Sequence, residues 1–148
     1  MNGVSNRNVL QGRTAIITGA SQGLGLEIAM QYVAAGASVI ICARDERMLS
    51  EVADVLKRSA SNDQVIFHMA ADVAESESVD ALIDFAIDKM GRIDILVNNA
   101  GIYGPKGPTD SVDWAEWVQA ININLLGLVL MCRAIAGFEV KGPELLKE

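Results

Sequence analysis

With 51% hydrophobic and 21% charged residues in 148 positions, the chain has the balance of one ordered domain, not of a disordered or low-complexity protein. Folding at this length buries about 70% of the extended chain's surface. A formal net charge of −7 sets the chain against nucleic acid, whose phosphate backbone calls for a basic face.

Residues 1–12 are polar and lack an apolar core, so they do not read as a secretory signal. Residues 13–19 are predicted as a buried strand on the run Ala15-Ile16-Ile17. The octapeptide Thr18-Gly19-Ala20-Ser21-Gln22-Gly23-Leu24-Gly25 then puts three glycines at a strand-to-helix junction. There backbone N–H groups can approach a pyrophosphate, and the helix start supplies positive dipole for it. The helix itself is predicted over residues 23–35, with Ile28, Ala29, Tyr32 and Val33 apolar and Gly36 as its stop. Residues 38–43 form a second short apolar strand, and Leu49, Val52, Ala53 and Leu56 mark a second helix. A third strand spans residues 64–70. Val79, Leu82, Ile83, Ala86 and Met90 mark a third helix that stops at Gly91. Residues 93–97 read as a fourth strand, residues 101–109 as a Gly/Pro-bearing loop, and residues from about 111 to about 136 as one long helix.

Regular alternation of strands and helices with continuously apolar strands predicts parallel pairing and helices on both faces. Right-handed crossovers then give an α/β, Rossmann-like, doubly wound sheet of about four strands in the order 3-2-1-4. The domain covers residues 1–136, followed by an atypical tail, residues 137–148, that contains Gly142-Pro143. The fourth strand is left as an apolar edge that invites self-association. Residues 120–138 are apolar enough to suggest a membrane span, but Asn122, Asn124 and Arg133 are costly in hydrocarbon, so a buried amphipathic helix in a soluble protein is expected. Cys42 and Cys132 lie outside any CxxC spacing and read as reduced, buried residues of a cytoplasmic protein. His68, the only histidine, reads as structural, and Trp114 and Trp117 as core or interface anchors. No metal-ligand spacing occurs.

Four segments in order resemble one family. Residues 18–25 resemble the TGxxxGxG fingerprint of the short-chain dehydrogenases/reductases, and Asn98-Asn99-Ala100-Gly101 resembles that family's NNAG motif. Asp72-Val73 after the third strand and Asn124 within Asn122-Ile123-Asn124-Leu125 match at family-like separations, so the resemblance covers roughly residues 10–135. A P-loop is disfavoured, because Gly19 is followed five residues on by Leu24 and no Lys-Ser/Thr pair follows.

The resemblance implies an oxidoreductase that passes hydride between a nicotinamide dinucleotide and a small carbonyl/alcohol substrate, such as a ketone or 3-oxoacyl-thioester. In that setting Gly19 permits the tight turn, Gly23 the pyrophosphate approach and Gly25 the packing of helix on sheet. Ser21, Gln22 and Leu24 sit where the family offers donors to phosphate and ribose. Asp72 and Val73 would hold the adenine; Asn98, Ala100 and Gly101 would line the ribose, while Asn99 braces the sheet. Asn124 matches the family's helix-interior Asn, which supports a proton-relay water, and is the one catalytic candidate. At the end of the second strand stand Ala43 and Arg44, where an acidic residue would favour NAD(H); the guanidinium of Arg44 suits a 2′-phosphate, so NADP(H) is favoured. Asp45 is expected to cap the following helix.

The family's YxxxK pair is not found: Tyr32 is followed at that spacing by Gly36, and Tyr103 by Gly107. Its expected positions lie beyond residue 148, so the sequence reads as a truncation or an alternative ending. The alternative reading is therefore a non-catalytic nucleotide-binding or interaction module.

Overall fold

Apolar runs this short and this continuous suit strands buried on both faces. The computed structural model describes residues 8–140. β1 (Thr14–Thr18) and β2 (Ser38–Ala43) occupy the centre of a four-stranded parallel sheet, completed by β3 (Ile66–Ala70) and β4 (Ile95–Val97). The order β3-β2-β1-β4 is the one expected. Ile16 pairs with Ile40 and Leu96, and Ile40 in turn with Phe67, so one row of apolar residues crosses the sheet.

Side chains alternate faces along a strand, and the core divides accordingly. Ala15, Ile17, Val39 and Ile41 pack under α1 (Gly23–Ala34) and α2 (Glu46–Ser59) through Ala29, Val33, Leu49, Ala53 and Leu56. Ile16 and Ile40 face the other way, onto α3 (Ser76–Met90) through Val79, Leu82 and Ala86, and onto Ile123 and Met131. α3 ends at Gly91 as expected. Asp45 caps α2, its carboxylate accepting from the Met48 N–H at 3.0 Å.

Three elements start two or more residues later than the sequence expectation, each where a side chain intervenes. β3 begins at Ile66 rather than at 64, because the Gln64 amide donates to the Val33 and Ala37 carbonyls at 2.9 and 2.6 Å and ties the chain to the end of α1. β4 is only three residues long. Before it, the Asp94 carboxylate takes the Thr14 N–H at 2.9 Å and holds Arg13 and Arg92. The last helix starts at Trp114, capped by Asp113, and is not uniform: α4 (Trp114–Ile121) passes through a π-helical turn, Asn122–Leu126, into α5 (Gly127–Val140). The expected tail thus begins inside α5, and Gly142-Pro143 falls outside the described residues.

That helix also corrects the expectation of burial. The span Trp114–Phe138 is long and apolar enough to cross a membrane, yet only 17% of its most apolar window is buried. Ala120, Ile123 and Met131 meet the sheet and α3, whereas Ile121, Leu125, Leu126 and Val129 face outward, with no described element over them. Trp114, 75% exposed, and Trp117 are not core residues. Cys132 on the same helix is exposed, while Cys42 is buried as expected.

Candidate functional site

β1 ends at the sheet's central position, between β2 and β4, and the chain turns there into α1. The turn uses left-handed backbone at Gly19 (φ +65°) and Gly23 (φ +59°), which only glycine adopts without strain. Gln22 precedes α1 in extended conformation and makes no side-chain cap, and the first turn carries no acidic residue. The orphan N–H groups of the first turn are therefore left without a capping side chain, at the positive end of the helix dipole. Gly25 faces inward: a Cβ there would overlap the Gly19 carbonyl oxygen and lie 2.5 Å from Asn99 Nδ2. The helix can approach the turn this closely only without that carbon.

The segment after β4 is braced against this turn. The Thr18 hydroxyl accepts from the N–H groups of Asn99 and Ala100, both at 3.0 Å, and donates to the Val97 carbonyl at 3.3 Å. The Asn99 amide donates to the carbonyls of Thr18 and Gly19 at 3.0 and 3.1 Å. Asn124 sits in the π-helical turn and clamps the chain one step further on. Its Oδ1 accepts from the Ile102 N–H at 2.8 Å and its Nδ2 donates to the Ile102 carbonyl at 2.7 Å. Sequence reasoning singled out Asn99 and Asn124 but not Thr18 or Ile102, the groups they fix. Only the fold brings these partners together across more than twenty intervening positions.

These elements wall a cleft of about 770 Å³ along the carboxyl ends of the strands. Of the candidates named from sequence, Gly19, Ser21, Gln22, Leu24, Arg44, Asp72, Val73, Ala100, Gly101 and Asn124 line it; Ile102, Tyr103 and Met48 also line it, with no signal that marked them beforehand. Three candidates stand apart. Gly23 and Gly25 shape the mouth without lining it, and Asn98 turns its amide to Cys132 Sγ at 3.5 Å. At the β2 end Arg44 is exposed and makes no ion pair among the described residues. At the β3 end Asp72 Oδ1 accepts from the Ala74 N–H at 2.9 Å, a turn-forming bond. Cys42 lines the cleft too, but burial pushes its thiol up to about 12 despite a hydrogen bond from the Gly19 backbone, so it is no nucleophile at neutral pH.

The donor set fits an elongated anion. Uncapped helix N–H groups and the Arg44 guanidinium supply donors along one cleft, in a volume typical of small-molecule sites. No group of three or more metal-ligating residues occurs among the described residues.

Comparison with known proteins bears directly on this arrangement. The profile of the family described as short chain dehydrogenase matches residues 13–142. Over 127 residues the chain is 37% identical to the 7alpha-hydroxysteroid dehydrogenase of Escherichia coli K12, covering 86% of this chain and 48% of that protein. A short chain dehydrogenase from Mycobacterium smegmatis superposes with a TM-score of 0.81 at 33% identity, over 86% of this chain and 52% of that one. A metagenomic short-chain oxidoreductase in complex with NADP gives 0.79 at 34% identity, over 86% and 57%. The chain spans about a third to a half of the length of the curated relatives it matches.

Proposed function

The chain belongs to the short chain dehydrogenase family, and on that premise we propose that it binds a nicotinamide dinucleotide, NADP(H) in preference to NAD(H), for hydride exchange with a small carbonyl/alcohol substrate. The observation that carries this reading is the uncapped first turn of α1, opening beside a cleft whose far rim bears Arg44, without an ion pair among the described residues.

The bound dinucleotide would supply the hydride; the chain's own residues bind, orient and exclude. The N–H groups at the start of α1, with Ser21, Gln22 and Leu24 around them, face the diphosphate. Arg44 offers a planar, permanently charged fork to a 2′-phosphate, with Asp72 and Val73 on the adenine side. Ala100 and Gly101 wall the ribose, held there by Thr18 and Asn99. Asn124, its side-chain amide committed to Ile102, keeps that wall registered with the helix; its part in a proton-relay water belongs to the same proposal. A ketone or 3-oxoacyl-thioester is the substrate class proposed, and a soluble, cytoplasmic setting suits the two free thiols.

A second reading, a nucleotide-binding or interaction module without turnover, is favoured by one observation: neither Tyr32 nor Tyr103 has a lysine four residues on. Titration of the purified chain with NADPH and NADH, followed by a carbonyl-reduction assay, separates the two. Tighter NADPH binding with turnover supports the enzyme, tighter NADPH binding without turnover the module, and no binding of either dinucleotide contradicts both.

A further inference from the structure

Three residues at the cofactor rim carry charge in a row: Arg44, Asp45 and Glu46. Two carboxylates beside one guanidinium would ordinarily oppose a 2′-phosphate, by repelling it and by competing for the arginine. The fold limits both. One oxygen of Asp45, a residue that also lines the cleft, is engaged in the α2 cap, accepting from the Met48 N–H. Glu46 reaches back across the sheet edge to β3. Its Oε1 lies 3.0 Å from His68 Nε2, and its Oε2 accepts the Ala70 N–H at 3.1 Å. A carboxylate only accepts, so His68 Nε2 carries the hydrogen. The clamp also occupies an N–H of β3, the edge strand of the sheet among the described residues.

We infer that Glu46 and His68 are positioning residues for cofactor selectivity: His68 holds the Glu46 carboxylate on β3 so that it does not compete with a 2′-phosphate for Arg44. The inference rests on the NADP(H) reading above and adds its cause. It gives the lone histidine, which the proposed chemistry does not use, a task. Without the imidazole, Glu46 keeps only the Ala70 N–H and is less restrained from swinging toward Arg44, two residues away.

The test measures dissociation constants for NADPH and NADH on the full chain by cofactor fluorescence. In His68→Ala, the NADPH-over-NADH preference falls about threefold or more at low salt, the size of one unit charge released at roughly 7 Å in water. His68→Gln, which keeps a donor at that position, retains the preference. Glu46→Gln combined with His68→Ala restores it, because the released group no longer carries charge; a merely structural role for the clamp would make this double variant worse. An unchanged preference in a folded His68→Ala variant overturns the inference alone. Failure of the double variant to recover also overturns it. Equal binding of the two cofactors by the wild-type chain overturns both this inference and the NADP(H) reading.

Discussion

Replacing Gly25 by alanine tests the closest approach in the fold. The new methyl would overlap the Gly19 carbonyl oxygen and lie 2.5 Å from Asn99 Nδ2 and 2.9 Å from the Gly19 carbonyl carbon. Ordinary contact begins near 3.4 Å, so helix and turn must part by about 1 Å in an interior that yields little. Overpacking of this kind costs about 1–3 kcal/mol. Displacing the Asn99 amide weakens two hydrogen bonds, at about 1 kcal/mol each. Together the loss is about 3–5 kcal/mol, a large share of the roughly 5–15 kcal/mol that stabilises a domain. Gly23→Ala is the internal control. Among the described residues nothing lies within 4 Å of the added Cβ, so only the left-handed backbone at φ +59° is penalised, by about 1–2 kcal/mol. Urea unfolding followed by far-UV circular dichroism measures both. A Gly25→Ala loss within 1 kcal/mol of wild type, or one smaller than that of Gly23→Ala, would refute the packing argument.

Thr18→Val keeps the shape but strands the N–H groups of Asn99 and Ala100. It should cost about 2–3 kcal/mol in urea unfolding, while Thr18→Ser stays within about 1 kcal/mol; equal losses would deny the hydroxyl its role. Arg44→Ala should weaken NADPH by about tenfold or more and NADH little, since charge-assisted bonds to phosphate are each worth about 1.5–3 kcal/mol; parallel losses for the two cofactors would remove Arg44 from the 2′ site. Burial pushes the Asp94 carboxyl up, but the Thr14 N–H, Arg92, Arg13 and the Thr14 hydroxyl outweigh it and hold the group at about 2. Its folded value lies below the ordinary 3.8, so its stabilisation is complete above that pH and is lost as pH falls through about 2. Asp94→Asn should therefore be less stable at neutral pH and show a shallower decline between pH 4 and 2, measured by thermal melts; parallel curves would contradict the assignment.

The sheet was legible because its strands are buried on both faces. Runs such as Ala15-Ile16-Ile17 and Val39-Ile40-Ile41 permit few other solutions, and alternation with helices fixes parallel order. The glycine turn into α1 was legible for a related reason: left-handed turns at Gly19 and Gly23 and a forbidden Cβ at Gly25 require glycine by position. Long-range partnerships were not. Thr18 with Asn99, Asn124 with Ile102, and Glu46 with His68 join residues that no local pattern relates. The long helix misled because apolar composition was taken for burial. Trp114, Leu125 and Cys132 lie on its outward side, and the π-helical turn around Asn124 has no periodicity that distinguishes it from α-helix. Asn98 was placed by motif position, yet its amide turns to Cys132.

The central claim is that main-chain amides at the start of α1 receive the diphosphate of a nicotinamide dinucleotide. Amide-resolved NMR of the labelled chain during NADPH addition tests it most directly. The account predicts that residues 21–25 and the Arg44 signals shift together and saturate at one dissociation constant. Signals of residues 21–25 that stay fixed while NADPH binds elsewhere, or does not bind at all, would contradict it.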